Sequence, residues 1–192
     1  MKTILKYILL FTLFILMCLA LMIWRSPYGK AEDGSQKIII ETIMIDVNTE
    51  IVYNYLANSN NAKDWSIYVD YITPLNSDIY KDGEKGSIRR CFKTENEIEM
   101  YWDEEILINE KNKLRQLSIY NMTNFKISSN HLLTEQIYNP RDGKCELSLT
   151  LFLDKNKANF LEEIKLYYAA YQISTIFKGN LNQIKNEVIN LR

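Results

Sequence analysis

The chain has 192 residues, a formal net charge of −1 and 47% hydrophobic residues, with a mean hydropathy of −0.22. That length fits one domain or two small ones, and the near-zero charge lacks the basic excess of nucleic-acid-binding domains. A charged fraction of 24% and an aromatic fraction of 12%, with three prolines and six glycines, exclude disordered, linker-like and collagen-like chains.

The averages hide an uneven distribution. From Tyr7 to Trp24 the sequence reads YILLFTLFILMCLALMIW, without a charge. As a helix this run is about 27 Å long, close to the hydrocarbon thickness of a bilayer. Lys2 and Lys6 precede it, Arg25 follows it, and Tyr7 and Trp24 stand at interface depth. A cleaved signal peptide has a shorter apolar region and a small-x-small exit. Here the exit is Leu21-Met22-Ile23-Trp24-Arg25, bulky throughout, which favours an uncleaved transmembrane anchor over residues 1–25. Keeping the short positive tail inside puts the following domain on the extracytoplasmic side of the membrane, with acidic Glu32 and Asp33 counting for little.

Residues 26–36, with Pro27, Gly29 and Gly34, read as a polar tether. All 24 acidic residues follow the apolar run, so the domain over 37–192 is slightly acidic. A polybasic attachment to lipid is therefore not its means of reaching a membrane.

Lys37 to Asp46 is rich in β-branched residues and predicts a strand. Asn48 or Thr49 then caps a short helix with Ile51, Val52, Tyr53 and Leu56 as its apolar body. A second short helix covers Asn60 to Trp65. Ile67 to Leu75 alternates as a strand, and Gly86 opens another that runs through Lys93. Glu97 to Ile108 alternates most clearly, with Ile98, Met100, Trp102, Ile106 and Ile108 on one face. Glu104 shares that face. Lys113 to Tyr120, Ser129 to Tyr138 and Cys145 to Leu153 are further strands, the last two separated by the turn Asn139-Pro140-Arg141-Asp142-Gly143. Turn-linked strands imply an antiparallel sheet with one covered face.

The period then changes. Phe160, Ile164, Tyr167, Tyr171, Ser174, Phe177, Leu181, Ile184, Val188 and Leu191 recur every three or four residues. They predict a long amphipathic helix laid on the sheet, with Gly179 as a place for a kink.

The segment Ile43-Met44-Ile45-Asp46-Val47-Asn48-Thr49-Glu50-Ile51-Val52-Tyr53-Asn54-Tyr55-Leu56 resembles the opening strand and capped helix of the START-like, helix-grip (SRPBCC) superfamily. Asn60-Asn61-Ala62-Lys63-Asp64-Trp65 is similar to that superfamily's helix ending in tryptophan, and Gly83 and Gly86 to the glycines before its third strand. Val47-Asn48 stands where the family has alanine-proline. The superfamily includes polyketide cyclases and dehydratases, lipid-transfer domains and pollen allergens. The resemblance covers about residues 37–192. It implies an α+β fold in which a curved antiparallel sheet of about seven strands wraps a long C-terminal helix, here preceded by one transmembrane helix. It also implies a cavity between sheet and helix.

On that analogy the cavity residues are Met100, Trp102, Glu104, Arg90, Tyr167, Tyr171 and Ser174. Small Ala169 and Ala170 leave room beside the tyrosines, although ordinary core packing explains the same pattern. Arg89 and Arg90 alternate, so one of them faces inward, to meet an acidic ligand group or a carboxylate such as Glu104. Glu104 and His131 are the acid–base candidates. A bulge or an arginine partner would remove Glu104 from that role, and His131 sits in a polar run of surface character. Asp103, Glu104 and Glu105 otherwise read as a solvated acidic face. One histidine and no CxxC pattern point to no metal site, Cys91 and Cys145 read as buried thiols, and no cofactor is implied. The expected partners are a hydrophobic small molecule or lipid and, through the anchor, a membrane. The functional expectation is a membrane-tethered binding domain. The alternatives are a cyclase- or dehydratase-like enzyme and a cell-envelope interaction scaffold.

Overall fold

A computed structural model describes residues 2–31, 34–126 and 128–191. Glu32 and Asp33 lie outside the described residues. The chain begins with α1 (Lys2–Arg25), then β1 (Gly29–Lys30), β2 (Lys37–Ile45), α2 (Thr49–Ala57), a 3₁₀ turn (Ser59–Asn61) and α3 (Ala62–Trp65). Six strands follow: β3 (Tyr71–Pro74), β4 (Ile88–Glu95), β5 (Ile98–Glu110), β6 (Leu114–Thr123), β7 (Leu132–Arg141) and β8 (Lys144–Leu153). The chain ends in α4 (Phe160–Ile189).

The eight strands form one antiparallel sheet in the order β1-β2-β8-β7-β6-β5-β4-β3. This is the helix-grip arrangement. The eighth strand comes from the segment expected to be a plain tether: Gly29–Lys30 pairs with β2, and Tyr28 is buried.

Local chemistry explains the element ends. Asn48 caps α2 by accepting from the Ile51 N–H. Asn159 accepts from Leu161 and Glu162, and Glu162 answers by accepting from the Asn159 N–H, which completes a capping box at the start of α4. The β7–β8 hairpin turns in two residues, Asp142 and Gly143, both at positive φ, so β7 runs through the predicted turn as far as Arg141. Only Tyr71–Pro74 of the predicted second strand pairs. The Ser66 hydroxyl accepts from the N–H groups of Tyr68 and Val69 and holds that stretch in a turn.

Two bulges change the expected alternation. One extra residue at Asn121 (φ 53°) falls opposite Trp102. A second, at Leu107, reverses the faces of β5, so that Asn109 rather than Ile108 turns inward and accepts from the Tyr53 hydroxyl at 2.6 Å.

The interior has two parts. Around α2, Val52, Leu56, Leu147, Ile184 and Val188 pack solidly. Around the first half of α4, Trp102, Ile119, Leu151, Leu166 and Ala170 pack against one another and leave space between them. α4 runs unbroken for 30 residues, about 45 Å. Gly179 does not interrupt it; a side chain there would collide with Ile67, so the glycine permits a close approach.

α1 carries a strongly apolar stretch, Ile4–Arg25, that is not buried in the fold. Its length and composition are those of a helix that can cross a membrane, a property shared by anchors and signal sequences.

Candidate functional site: the cavity under the long helix

The period-2 pattern of the strands builds the cavity. Arg89 and Cys91 of β4, Met100, Trp102 and Glu104 of β5, and Leu117 and Ile119 of β6 point the same way. So do Leu132, Thr134 and Gln136 of β7 and Leu149 and Leu151 of β8. Leu166, Ala169, Ile173 and Ile176 of α4 close the other side, and Trp65, Tyr68 and Val69 close the end beyond α3. The space between them, open at a mouth, is about 650 Å³, within the range of small-molecule sites. Ala169 lines this space, and its small side chain leaves room there. Trp102 lies edge-on to Phe125 at 5.8 Å and tilted on Tyr68 at 6.1 Å, so aromatic surface dominates one wall.

The deep end is polar. Arg89 Nε donates to Glu104 Oε2 at 2.9 Å, and Trp102 Nε1 donates to Glu104 Oε1 at 2.9 Å. Arg89 Nη1 donates to the Ser59 hydroxyl at 3.3 Å, which donates to Asp82 at 2.7 Å. Burial opposes the Arg89 charge, yet the adjacent Glu104 carboxylate outweighs it and raises the guanidinium above its ordinary value. Gln136 Oε1 accepts from Arg115 Nη1 at 2.9 Å and from the Tyr138 hydroxyl at 2.7 Å. Arg115 is fully buried over the Tyr53 ring. Among the described residues, Trp65 Nε1 and Arg115 Nε and Nη2 are buried donors without a protein acceptor. Of these side chains, Trp65 lines the cavity.

A second polar cluster sits at the mouth. The Ser129 hydroxyl donates to Glu162 at 2.6 Å, and His131 Nδ1 lies 3.1 Å from both Glu162 oxygens. Burial pushes the Glu162 carboxyl up, but Ser129, the Asn159 N–H and His131 together hold it below the ordinary glutamate value. These contacts tie the start of α4 to the β6–β7 connection.

Of the residues expected in the cavity, Met100, Trp102 and Glu104 line it. Arg90 does not. It lies on the outer face, holds Asp103 through two hydrogen bonds at 2.7 and 3.0 Å and stacks over Tyr101. The inward arginine is Arg89, because the β4–β5 register sets it opposite Glu104 and sets Arg90 opposite Asp103. The solvated acidic face is corrected at the same point, since Asp103 is buried by Arg90 and Asn121. Tyr167, Tyr171 and Ser174 also lie outside the cavity. Tyr167 packs on Tyr28, Tyr171 bonds the Met22 carbonyl, and Ser174 donates to Glu41 at 2.5 Å. The expected stripe divides along the helix: Phe160, Ile164 and Tyr171 face outward, whereas Ser174, Leu181, Ile184 and Val188 are buried and Phe177 reaches the cavity, whose α4 wall is otherwise Leu166, Ala169, Ile173 and Ile176. His131 does not line the site; it is tied to the lining residues Glu162 and Ser129.

Sequence reasoning missed Trp65, Tyr68, Phe125, Gln136 and Ile173. The available signal was the Leu166-Ala169-Ile173-Ile176 spacing, which is as helical as the stripe read in its place.

Both Glu104 oxygens are engaged, so in this arrangement Glu104 organises the deep end and offers no free carboxyl for proton transfer. The site as a whole can enclose an apolar or aromatic body and present it with hydrogen-bonding groups at one end.

No protein-family model and no curated protein sequence matches the chain. Solved structures do match in fold. Ara h 8.0201 aligns with a TM-score of 0.59 at 15% identity, over 80% of this chain and 97% of that one. The ZhuI aromatase/cyclase from Streptomyces sp. R1128 aligns at 0.59 and 13% identity, over 81% and 95%. Norcoclaurine synthase from Thalictrum flavum, solved in complex with dopamine and hydroxybenzaldehyde, aligns at 0.59 and 10% identity, over 81% and 88%. At such identities the shared property is the fold, and the chain has the START-like, helix-grip fold.

Proposed function

We propose that this chain is a membrane-anchored helix-grip protein that holds a hydrophobic small molecule or lipid between its sheet and its last helix. The observation that carries the proposal is the 650 Å³ space itself, with apolar and aromatic walls around a polar end. Arg89, Glu104 and Gln136 in the lining suit a ligand with a polar group at one end of an apolar body. In this reading residues 1–25 anchor the chain, residues 26–36 link anchor to domain, and residues 37–192 bind the ligand on the extracytoplasmic side. Support comes from the fold, which a cyclase and a synthase bound to two aromatic molecules share. A scaffold without a ligand has no use for a cavity of this size.

The test is uptake of a fluorescent lipid or aromatic probe by the full chain in detergent micelles, with native mass spectrometry of the complex. Ala169→Trp should obstruct the cavity and lower uptake several-fold with little change in melting temperature. Equal uptake by the wild type and the obstructed variant would place the ligand elsewhere and end the proposal.

A further inference from the structure

α1 and α4 are joined at one place. The Tyr171 hydroxyl donates to the Met22 carbonyl at 3.0 Å, and the Ser26 hydroxyl donates to the Tyr167 carbonyl at 3.2 Å. The last turn of the apolar helix is thus fastened to the first half of α4.

The outward face of α4 changes character at this junction. On its N-terminal side Phe160, Leu161, Ile164, Tyr168 and Tyr171 are exposed, with 74%, 67% and 66% of Phe160, Leu161 and Tyr168 accessible. On the C-terminal side the exposed positions are Thr175, Lys178, Asn182, Gln183 and Asn186. A helix face that met water along its whole length would be polar along its whole length. The apolar part is about 16 Å long. It is continuous with the cavity mouth, because Tyr168 belongs to both, and Lys165 and the exposed Ile98 complete that part of the rim. Tyrosine, and lysine with its long apolar stem, are side chains suited to a bilayer interface.

We propose that the outward apolar face of α4, from Phe160 to Tyr171, rests on the bilayer that α1 enters, so that the cavity opens to lipid rather than to water. The inference rests on the reading of α1 as an uncleaved anchor. The bilayer is the occupant because the end of α1 sets its surface within hydrogen-bonding distance of Tyr171. The ligand then passes between membrane and cavity without crossing water.

The experiment uses the full chain with Cys18→Ser, reconstituted into vesicles of phosphatidylcholine and phosphatidylglycerol at about 3:1. Flotation in alkaline carbonate comes first. A chain that does not float with the vesicles has lost the anchor reading, and this inference with it. For a chain that floats, one exposed cysteine at a time is added beside the buried Cys91 and Cys145, by Leu161→Cys, Tyr168→Cys, Ile98→Cys and, as the water-facing control, Asn186→Cys. Each is labelled with an environment-sensitive bimane. The labels at 161, 168 and 98 should be quenched by doxyl-labelled phosphatidylcholine and shielded from iodide several-fold more than the label at 186. Iodide access equal to that of the control, in a chain that floats, would overturn the membrane-facing mouth and leave the anchor intact.

Discussion

Arg89 and Glu104 stand directly opposite each other on β4 and β5, and the guanidinium Nε reaches the carboxylate at 2.9 Å. Their side chains are 6% and 12% accessible, so each charge depends on the other for its solvation. Glu104 is thereby fixed as the organiser of the cavity's deep end.

Removing one partner should be costly. Arg89→Met is expected to destabilise the chain by about 3–5 kcal/mol, because it strands a buried carboxylate. Arg89→Met combined with Glu104→Gln should recover most of that loss, since the amide oxygen can still accept from Trp102. Chemical denaturation followed by tryptophan fluorescence measures both. A double variant as unstable as the single would show that packing, and not the charge pair, sets the cost.

Acid should act through Glu162. Its folded value lies below the ordinary one of about 4.3. The stability it contributes is therefore complete above that ordinary value and is lost as pH falls through the lower folded value. Glu162→Gln should flatten the decline in melting temperature on the acid side of about pH 5. If variant and wild type decline in parallel, other carboxylates govern the acid limb; Asp103, lowered by Arg90 and Asn121 against its burial, is the next to examine.

Two glycines at positive φ should respond differently to alanine. Gly83 (φ 82°) has the Ala57 carbonyl where a side chain would go, while Gly143 (φ 78°) faces open space. Gly143→Ala pays only the conformational strain, about 1 kcal/mol, and Gly83→Ala should cost about 3 kcal/mol or more. Equal midpoint shifts in urea would contradict the close contact at Gly83.

The two domain cysteines should be silent in the native state. Burial pushes the Cys91 thiol well above its ordinary range and the Cys145 thiol up to about 11. Both are protonated and inaccessible at pH 8. With Cys18→Ser, reaction with a charged disulfide reagent should begin only when denaturant unfolds the chain. Prompt labelling of Cys145 in the native protein would mean that this part of the sheet opens readily, and prompt labelling of Cys91 alone that the reagent enters the cavity it lines.

Much of the architecture was legible because it follows from local periodicity. The alternation around Trp102 placed Met100 and Glu104 inward, and Asn48 announced the start of α2. The bulge at Leu107 was not legible: Ile106, Leu107 and Ile108 are all apolar, so nothing in their side chains marks the extra residue. The identity of the inward arginine was equally hidden. Alternation says that Arg89 and Arg90 face opposite ways, and only the pairing with β5 says which way each one faces.

By itself the sequence determined the order of elements, the apolar first helix, the antiparallel sheet and the long last helix, because each depends on residues a few positions apart. Tertiary structure decided which stripe of the first half of α4 meets the sheet, which arginine meets Glu104, and that a space remains between helix and sheet. Those outcomes depend on register and on the volumes of side chains from β4 through β8 meeting Leu166, Ala169 and Ile173. Periodicity reports that a helix has an apolar face. What covers that face is settled by distant parts of the chain, and the first half of α4 carries two apolar faces where the sequence pattern suggested one.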